Sequence, residues 1–254
     1  MKAIKSLILL LVIPLVLNSF MTPPDFLSQQ KKFERVKAAF LEKENVIQQQ
    51  LKANGLQSDN FQMLIVAYKE EDVLEIYARK KSESVYKKLI SYEVCAKSGQ
   101  LGPKRKQGDA QVPEGFYHID RFNPNSNFHL SLGVNYPNDS DRKKSIAEHL
   151  GGDIFIHGSC VTIGCLPMTD DKIKEIYLYA VLARNNGQSE IPVYIFPFRM
   201  TDENFNKYKA MADYRENLPL IDFWENLKSG FDKFQKKQTE LKVTVDKRGN
   251  YLYL

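Results

Sequence analysis

From position 61 onward the apolar residues fall into short runs of strand length separated by turn chemistry. The runs predict strands at 61–68, 73–79, 89–96, 115–119, 128–134, 153–157 and 193–196. Between them stand Lys69-Glu70-Glu71-Asp72, Ser98-Gly99 and Asn123-Pro124-Asn125, combinations that turn or break a chain. Helical periodicity interrupts the strands twice, at 141–149 and at 170–186. In the second helix Ile173, Ile176, Tyr177, Ala180 and Val181 form one apolar stripe before Gly187. Ahead of the strands, Phe33, Val36, Phe40, Ile47 and Leu51 are spaced for a helix over 26–53 that stops at Asn54-Gly55. After position 200 the pattern reads helix, connector, helix and hairpin. Phe223, Trp224, Leu227, Phe231 and Phe234 line one helical face, and Arg248-Gly249-Asn250 joins two short β runs. The fold class is mostly β with flanking helices, that is α+β.

The first twenty residues differ from all of this. Lys2 and Lys5 precede an apolar run from Leu7 to Leu17 that contains Pro14 and is short for a membrane span. It reads as a secretory signal cleaved around 18–21, with an uncleaved anchor as the alternative, and no cysteine closely follows it to carry a lipid. The chain divides into a signal at 1–20, a helical segment at 21–58, a catalytic domain at 59–200 and a C-terminal extension at 201–254, which caps the core or shapes one side of a cleft. With 43% hydrophobic and 26% charged residues, the 254 residues suit one good core. The formal charge of +5 falls to +3 once Lys2 and Lys5 leave with the signal, too little and too scattered to point to nucleic acid.

Chemistry concentrates between Ile156 and Asp170, on a connection that leaves an apolar run and enters a helix opened by Thr169-Asp170-Asp171. His157 and Cys165 pair there as base and nucleophile. A thiolate attacks a carbonyl while the imidazole takes the proton and returns it to the leaving amine, chemistry suited to acyl transfer or amide hydrolysis. Gly164 admits close approach of a carbonyl carbon, and the N–H groups of Gly164 and Cys165 are expected to face a developing oxyanion. Thr162 positions the loop or the substrate. Of the other histidines, His129 orients substrate or is structural, His118 is a weaker candidate of the same kind, and His149 is a surface or capping residue. Ser131, Gly158 and Ser159 complete the candidate substrate-binding set with His129.

The three cysteines leave at least one unpaired in an oxidising compartment. Cys165 is the free, reactive candidate, Cys160 a buried neighbour or its reversible disulfide partner, and Cys95 a core residue. The segment 99–109 is rich in glycine and base but lacks a Gly-Lys-Ser/Thr ending, so it reads as a mobile hairpin bordering the groove, not as a phosphate loop. Zinc binding by His149, His157, Cys160 and Cys165 is the competing class, disfavoured by spacing. A wall-binding module without catalysis is another.

His157-Gly158 followed by Thr162-Ile163-Gly164-Cys165 resembles the signature of the L,D-transpeptidase (YkuD) catalytic domain family. The likeness is closer to its YafK-like branch, along Gln111-Val112-Pro113-Glu114-Gly115-Phe116-Tyr117, Asn123-Pro124-Asn125-Ser126, Phe128-His129-Leu130-Ser131, Tyr136-Pro137-Asn138, Gly151-Gly152-Asp153-Ile154, the whole of 156–170, and from Ile191-Pro192-Val193 to Phe196-Pro197-Phe198. Two departures from the wider family stand out. Only four residues separate His157 from Thr162, a shortening the branch shares, and Pro167 occupies the place of an arginine two residues after the nucleophile. The resemblance implies a β-sandwich or barrel core, no cofactor, and a Cys165 thioester formed with peptidoglycan stem peptides in the periplasm or at the cell wall, serving wall biogenesis and cell shape. It leaves the acceptor open. An amine gives a cross-link, whereas water gives hydrolysis, the outcome associated with the branch, in which a wall-anchored lipoprotein is released from peptidoglycan.

Overall fold

The computed structural model describes residues 25–254; the proposed signal lies outside the described residues. Among the described residues ten strands and six helices run in chain order as α1 (Phe26–Gln30), α2 (Glu34–Ala53), β1 (Phe61–Tyr68), β2 (Val73–Lys80), β3 (Lys87–Glu93), β4 (Gly115–Asn123), β5 (Ser131–Val134), α3 (Asp139–Lys144), β6 (Phe155–His157), β7 (Leu166–Pro167), α4 (Asp170–Asn185), β8 (Pro192–Phe196), α5 (Asp202–Ala210), α6 (Leu218–Lys237), β9 (Val243–Val245) and β10 (Tyr251–Tyr253). The first eight strands make one mixed sheet in the order β3-β2-β1-β8-β4-β5-β6-β7, and β9 and β10 form a separate hairpin.

Strand β1 is central and covered on both faces, which is why its sequence is a near-continuous apolar run with little alternation. It pairs antiparallel with β2 and parallel with β8, the parallel partner reached after the sheet has been extended through β4, β5, β6 and β7. The sheet curls so that its two ends meet. The chain leaving β3 lays the Cys95 N–H on the Pro167 carbonyl at 3.0 Å, while Val94 N–H bonds Asp72 O at 2.7 Å. This closure produces a half-barrel and puts the chain leaving β3 beside β7.

Each sheet face has its own core. Met63, Ile65, Ile76, Leu132, Ile156 and Leu166 look toward α2 and α4, while Leu64, Tyr68, Phe116 and Phe196 look toward α6, where Trp224, Phe231 and Phe234 meet them. The apolar stripe expected on 170–186 is wider in the fold, because α4 is wedged between sheet and α2. Leu178, Tyr179 and Ala183 are buried as well, and Tyr177 and Tyr179 donate their hydroxyls to Gln30 and Gln50. The helix expected over 26–53 is broken at 31–33 into α1 and α2, and α3 spans only Asp139–Lys144, closed at its start by an Asn138–Asp141 capping box.

Candidate active site

Strands β6 and β7 run parallel, with Ile156 opposite Leu166 and His157 opposite Pro167. Ile156 and Leu166 lie in the core, with His157 directly after the first and Cys165 directly before the second, so the pairing of β6 with β7 sets the two residues' backbone on adjacent segments. The backbone thus brings His157 and Cys165, eight apart in sequence, onto paired segments. At rest the two side chains hold other partners. The Cys165 thiol is directed at the Asp153 carbonyl, 3.6 Å away, and His157 Nδ1 lies 2.5 Å from Gly158 O.

That second contact fixes the imidazole's tautomer. A carbonyl only accepts, so Nδ1 carries the proton and donates it, which leaves the ring's lone pair on Nε2. The group orienting His157, which sequence did not identify, is therefore the adjacent backbone carbonyl. Gly158 has no alternative residue, since a Cβ there would sit 2.6 Å from Asp170 Oδ1 and 2.8 Å from Phe128 O. Phe128 packs on the imidazole with ring centroids 4.7 Å apart, a contact that the strand reading of 128–134 did not single out. Burial lowers the His157 pKa, partly opposed by the Gly158 hydrogen bond. Burial likewise raises that of Cys165, with a Phe155 backbone hydrogen bond and Lys104 pulling it down and Asp153 adding to the rise. Both shifts favour the neutral pair, thiol plus imidazole, over a preformed thiolate–imidazolium.

Thr162 acts on the backbone. Its Oγ1 accepts the N–H groups of Cys165 at 2.8 Å and Gly164 at 3.2 Å and donates to Cys165 O at 3.0 Å. Here the structure differs from the sequence expectation, because the two N–H groups assigned to an oxyanion are taken by Thr162. A hydroxyl three residues before the nucleophile competes for local amides, and this geometry wins while no charge develops. Gly164 adopts φ +135°, and a Cβ on it would fall 2.9 Å from Gln111 O, so the nucleophile turn is pressed against the 99–111 segment.

The cysteine assignment also changes. Cys95 and Cys160 form a disulfide across 65 residues of chain and Cys165 is free. Cys160 is thus neither a buried neighbour nor the partner of Cys165, and Cys95 is not simply a core residue. An odd count told that one thiol remains, but spacing does not say which two meet. The bond also removes Cys160 from any metal set with His149, His157 and Cys165, and His149 stands exposed beside Glu148. Among the described residues no group of three His, Cys, Asp or Glu side chains is arranged to hold a metal.

The remaining candidates, Ser131, His129 and Ser159, lie on β5 and on the loops around it. Ser131 is buried opposite His157 on β5. His129 has positive φ, its carbonyl accepts from Arg35 at 2.8 Å, and its Nε2 is buried without a hydrogen-bond partner among the described residues. Ser159, also at positive φ, gives its N–H to Asp170 Oδ1 at 2.9 Å. The 99–109 segment is a stapled loop, not a mobile hairpin. Asp109 accepts from the Lys104 ammonium and from the N–H groups of Arg105, Lys106 and Gln111.

Cys165 opens into a pocket of about 180 Å³ bounded by Tyr68, Lys97, Leu101, Val112 and Tyr214. Residues 62–195, which carry the thiol, the imidazole and the Thr162 clasp, match the L,D-transpeptidase catalytic domain, YkuD, and the chain belongs to that family. It is 38% identical over 183 residues to YafK of Escherichia coli (strain K12), a protein classed with the L,D-transpeptidases, across 71% of this chain and 70% of that one. Among solved structures it resembles the helical cell shape determining protein Pgp2 of Campylobacter jejuni, with TM-score 0.43 and 19% identity over 73% of this chain and 74% of that one. It also resembles L,D-transpeptidase 1 of Mycobacterium tuberculosis, with TM-score 0.31 and 15% identity over 54% of this chain and 62% of that one. Among the described residues no helix is long and apolar enough to cross a membrane.

Proposed function

We propose that the chain is a secreted cysteine acyltransferase acting on peptidoglycan stem peptides, with Cys165 as nucleophile and His157 as general base and then acid. The observation that carries this reading is that the free thiol immediately precedes β7, which pairs with the β6 strand carrying an imidazole whose Nδ1 is already occupied. In the proposed sequence Sγ attacks a peptide carbonyl carbon and its proton passes to His157 Nε2. The tetrahedral intermediate then breaks its C–N bond, the leaving amine takes that proton, and a Cys165 thioester remains. An acceptor amine or water next gives its own proton to His157 and attacks the thioester, and the thiol leaves protonated. As negative charge builds on the carbonyl oxygen, it competes with Thr162 Oγ1 for the Gly164 and Cys165 N–H groups.

Within this reading residues 1–20 direct export and are removed, 59–200 form the catalytic unit, and the site of action is the periplasm or wall. The test is mass spectrometry of the mature protein incubated with muropeptides, with and without an amine acceptor. A Cys165 acyl adduct that resolves to an amine-linked product makes the protein a transpeptidase, and one that resolves to free carboxylate makes it a hydrolase of wall-attached peptide or lipoprotein. Cys165→Ala should keep the fold and lose all turnover; turnover retained by the purified variant sinks the assignment.

A further inference from the structure

The pocket beside Cys165 is not built by the family-matched region alone. Its walls come from the end of β1 and the turn after it, from the 98–101 segment, and from the α5–α6 connector, which contributes Tyr214. These three pieces are remote in sequence, yet one side chain joins them. Glu114, fully buried, receives the Lys69 ammonium at 2.9 Å and the Gly102 N–H at 2.7 Å on Oε1, and the Trp224 indole N–H at 2.9 Å on Oε2. Lys69 spends its other donors on the carbonyls of Gly102 at 2.8 Å and Val112 at 3.0 Å. Trp224 in turn holds the Tyr214 ring edge-on at 5.2 Å.

A buried carboxylate with every contact satisfied is costly to disturb and has a single arrangement, so it fixes the spacing of what it holds. Lys69 stands for the β1 wall, Gly102 for the loop wall, and Trp224 for the extension. The extension therefore does more than cover a core face, because an aromatic ring from it faces the same space as the thiol. Tyr68, Leu101 and Tyr214 offer an apolar seat, and Lys97 paired to Asp72 at 3.0 Å gives the pocket a polar edge. Such a seat suits the aliphatic part of a peptide whose ends are charged.

We propose that the C-terminal extension completes the acyl-donor site, with Tyr214 as a specificity-determining wall for the stem peptide and Glu114 as the positioning residue that holds that wall through Trp224. This rests on the function proposed above, and binding separates the two. Calorimetric titration of a disaccharide-tetrapeptide muropeptide into Cys165→Ala protein measures the donor site without turnover. Adding Tyr214→Ala should weaken binding about tenfold, as expected for loss of one aromatic contact, and Tyr214→Phe should restore it. Glu114→Gln should also weaken binding while lowering the melting temperature, and adding Tyr214→Ala to it should weaken binding little further, since both changes remove one wall. Binding unaltered by Tyr214→Ala, or fully additive losses, overturn this proposal and leave the function standing. Cys165→Ala protein that binds no muropeptide overturns both.

Discussion

His157 and Cys165 are each shifted by burial in the direction that keeps them neutral, so activation waits for substrate. A thiol whose pKa is raised is protonated through neutral pH, and its intrinsic reactivity climbs only as the medium becomes alkaline. Alkylation of Cys165 by iodoacetamide should therefore keep rising beyond the pH at which an ordinary thiol levels off. A plateau reached at neutral pH in the free enzyme would show a preformed ion pair instead. Thr162 is the other residue with a defined task. Thr162→Val keeps the shape but strands two backbone N–H groups, a loss of about 1–3 kcal/mol for buried donors. It should lower the melting temperature, read by thermal denaturation.

Among the elements, β1 and the cap of α4 were readable in full because their determinants are local. An apolar run bounded by turns defines the strand, and Thr169 accepts from Lys172 N–H where the sequence suggested a helix start. Strand β7 escaped because two residues carry no period, and it exists only through its partner β6. The 99–109 segment was read as mobile since glycine and base signal a loop, but nothing local announces Asp109 as its staple or Arg105 as its tie to Asp141 at 2.8 Å. Asp141 is buried at the start of α3, also accepts from Tyr117 and Asn138, and burial outweighs those contacts to raise its pKa to about 6. The folded state thus holds that proton more tightly than the unfolded chain. The stability it contributes is full below the ordinary carboxyl value of 3.8 and is lost as pH rises through about 6. Melting temperature against pH should accordingly fall more steeply for the native protein than for Asp141→Asn between about pH 4 and 6; equal slopes would show that the Arg105 pair dominates.

At the scale of the molecule, the Cys95–Cys160 bond fastens the exit of β3 to the loop between β6 and β7 where the sheet closes on itself. Cross-linking a loop of that length contributes about 4 kcal/mol in the chain-entropy account. Cys95→Ser should lower the melting temperature by several degrees and slow Cys165 acylation, with the same loss in native protein after mild reduction; an unchanged rate would leave the bond a stabiliser only. Read alone, the sequence determined the class of fold, the family and the order of most elements, and it pointed to Cys165 and His157 as the expected reacting pair, because periodicity and a short motif are local properties that survive without tertiary context. Tertiary structure decided which cysteines pair and that Tyr214 lines the same pocket as the thiol, while the contacts of His157 Nδ1 and of the Gly164 and Cys165 amides are short-range ones set by loop geometry that carries no sequence period. The first two depend on atoms far apart in the chain, which the closing of the sheet and the burial of Glu114 bring together.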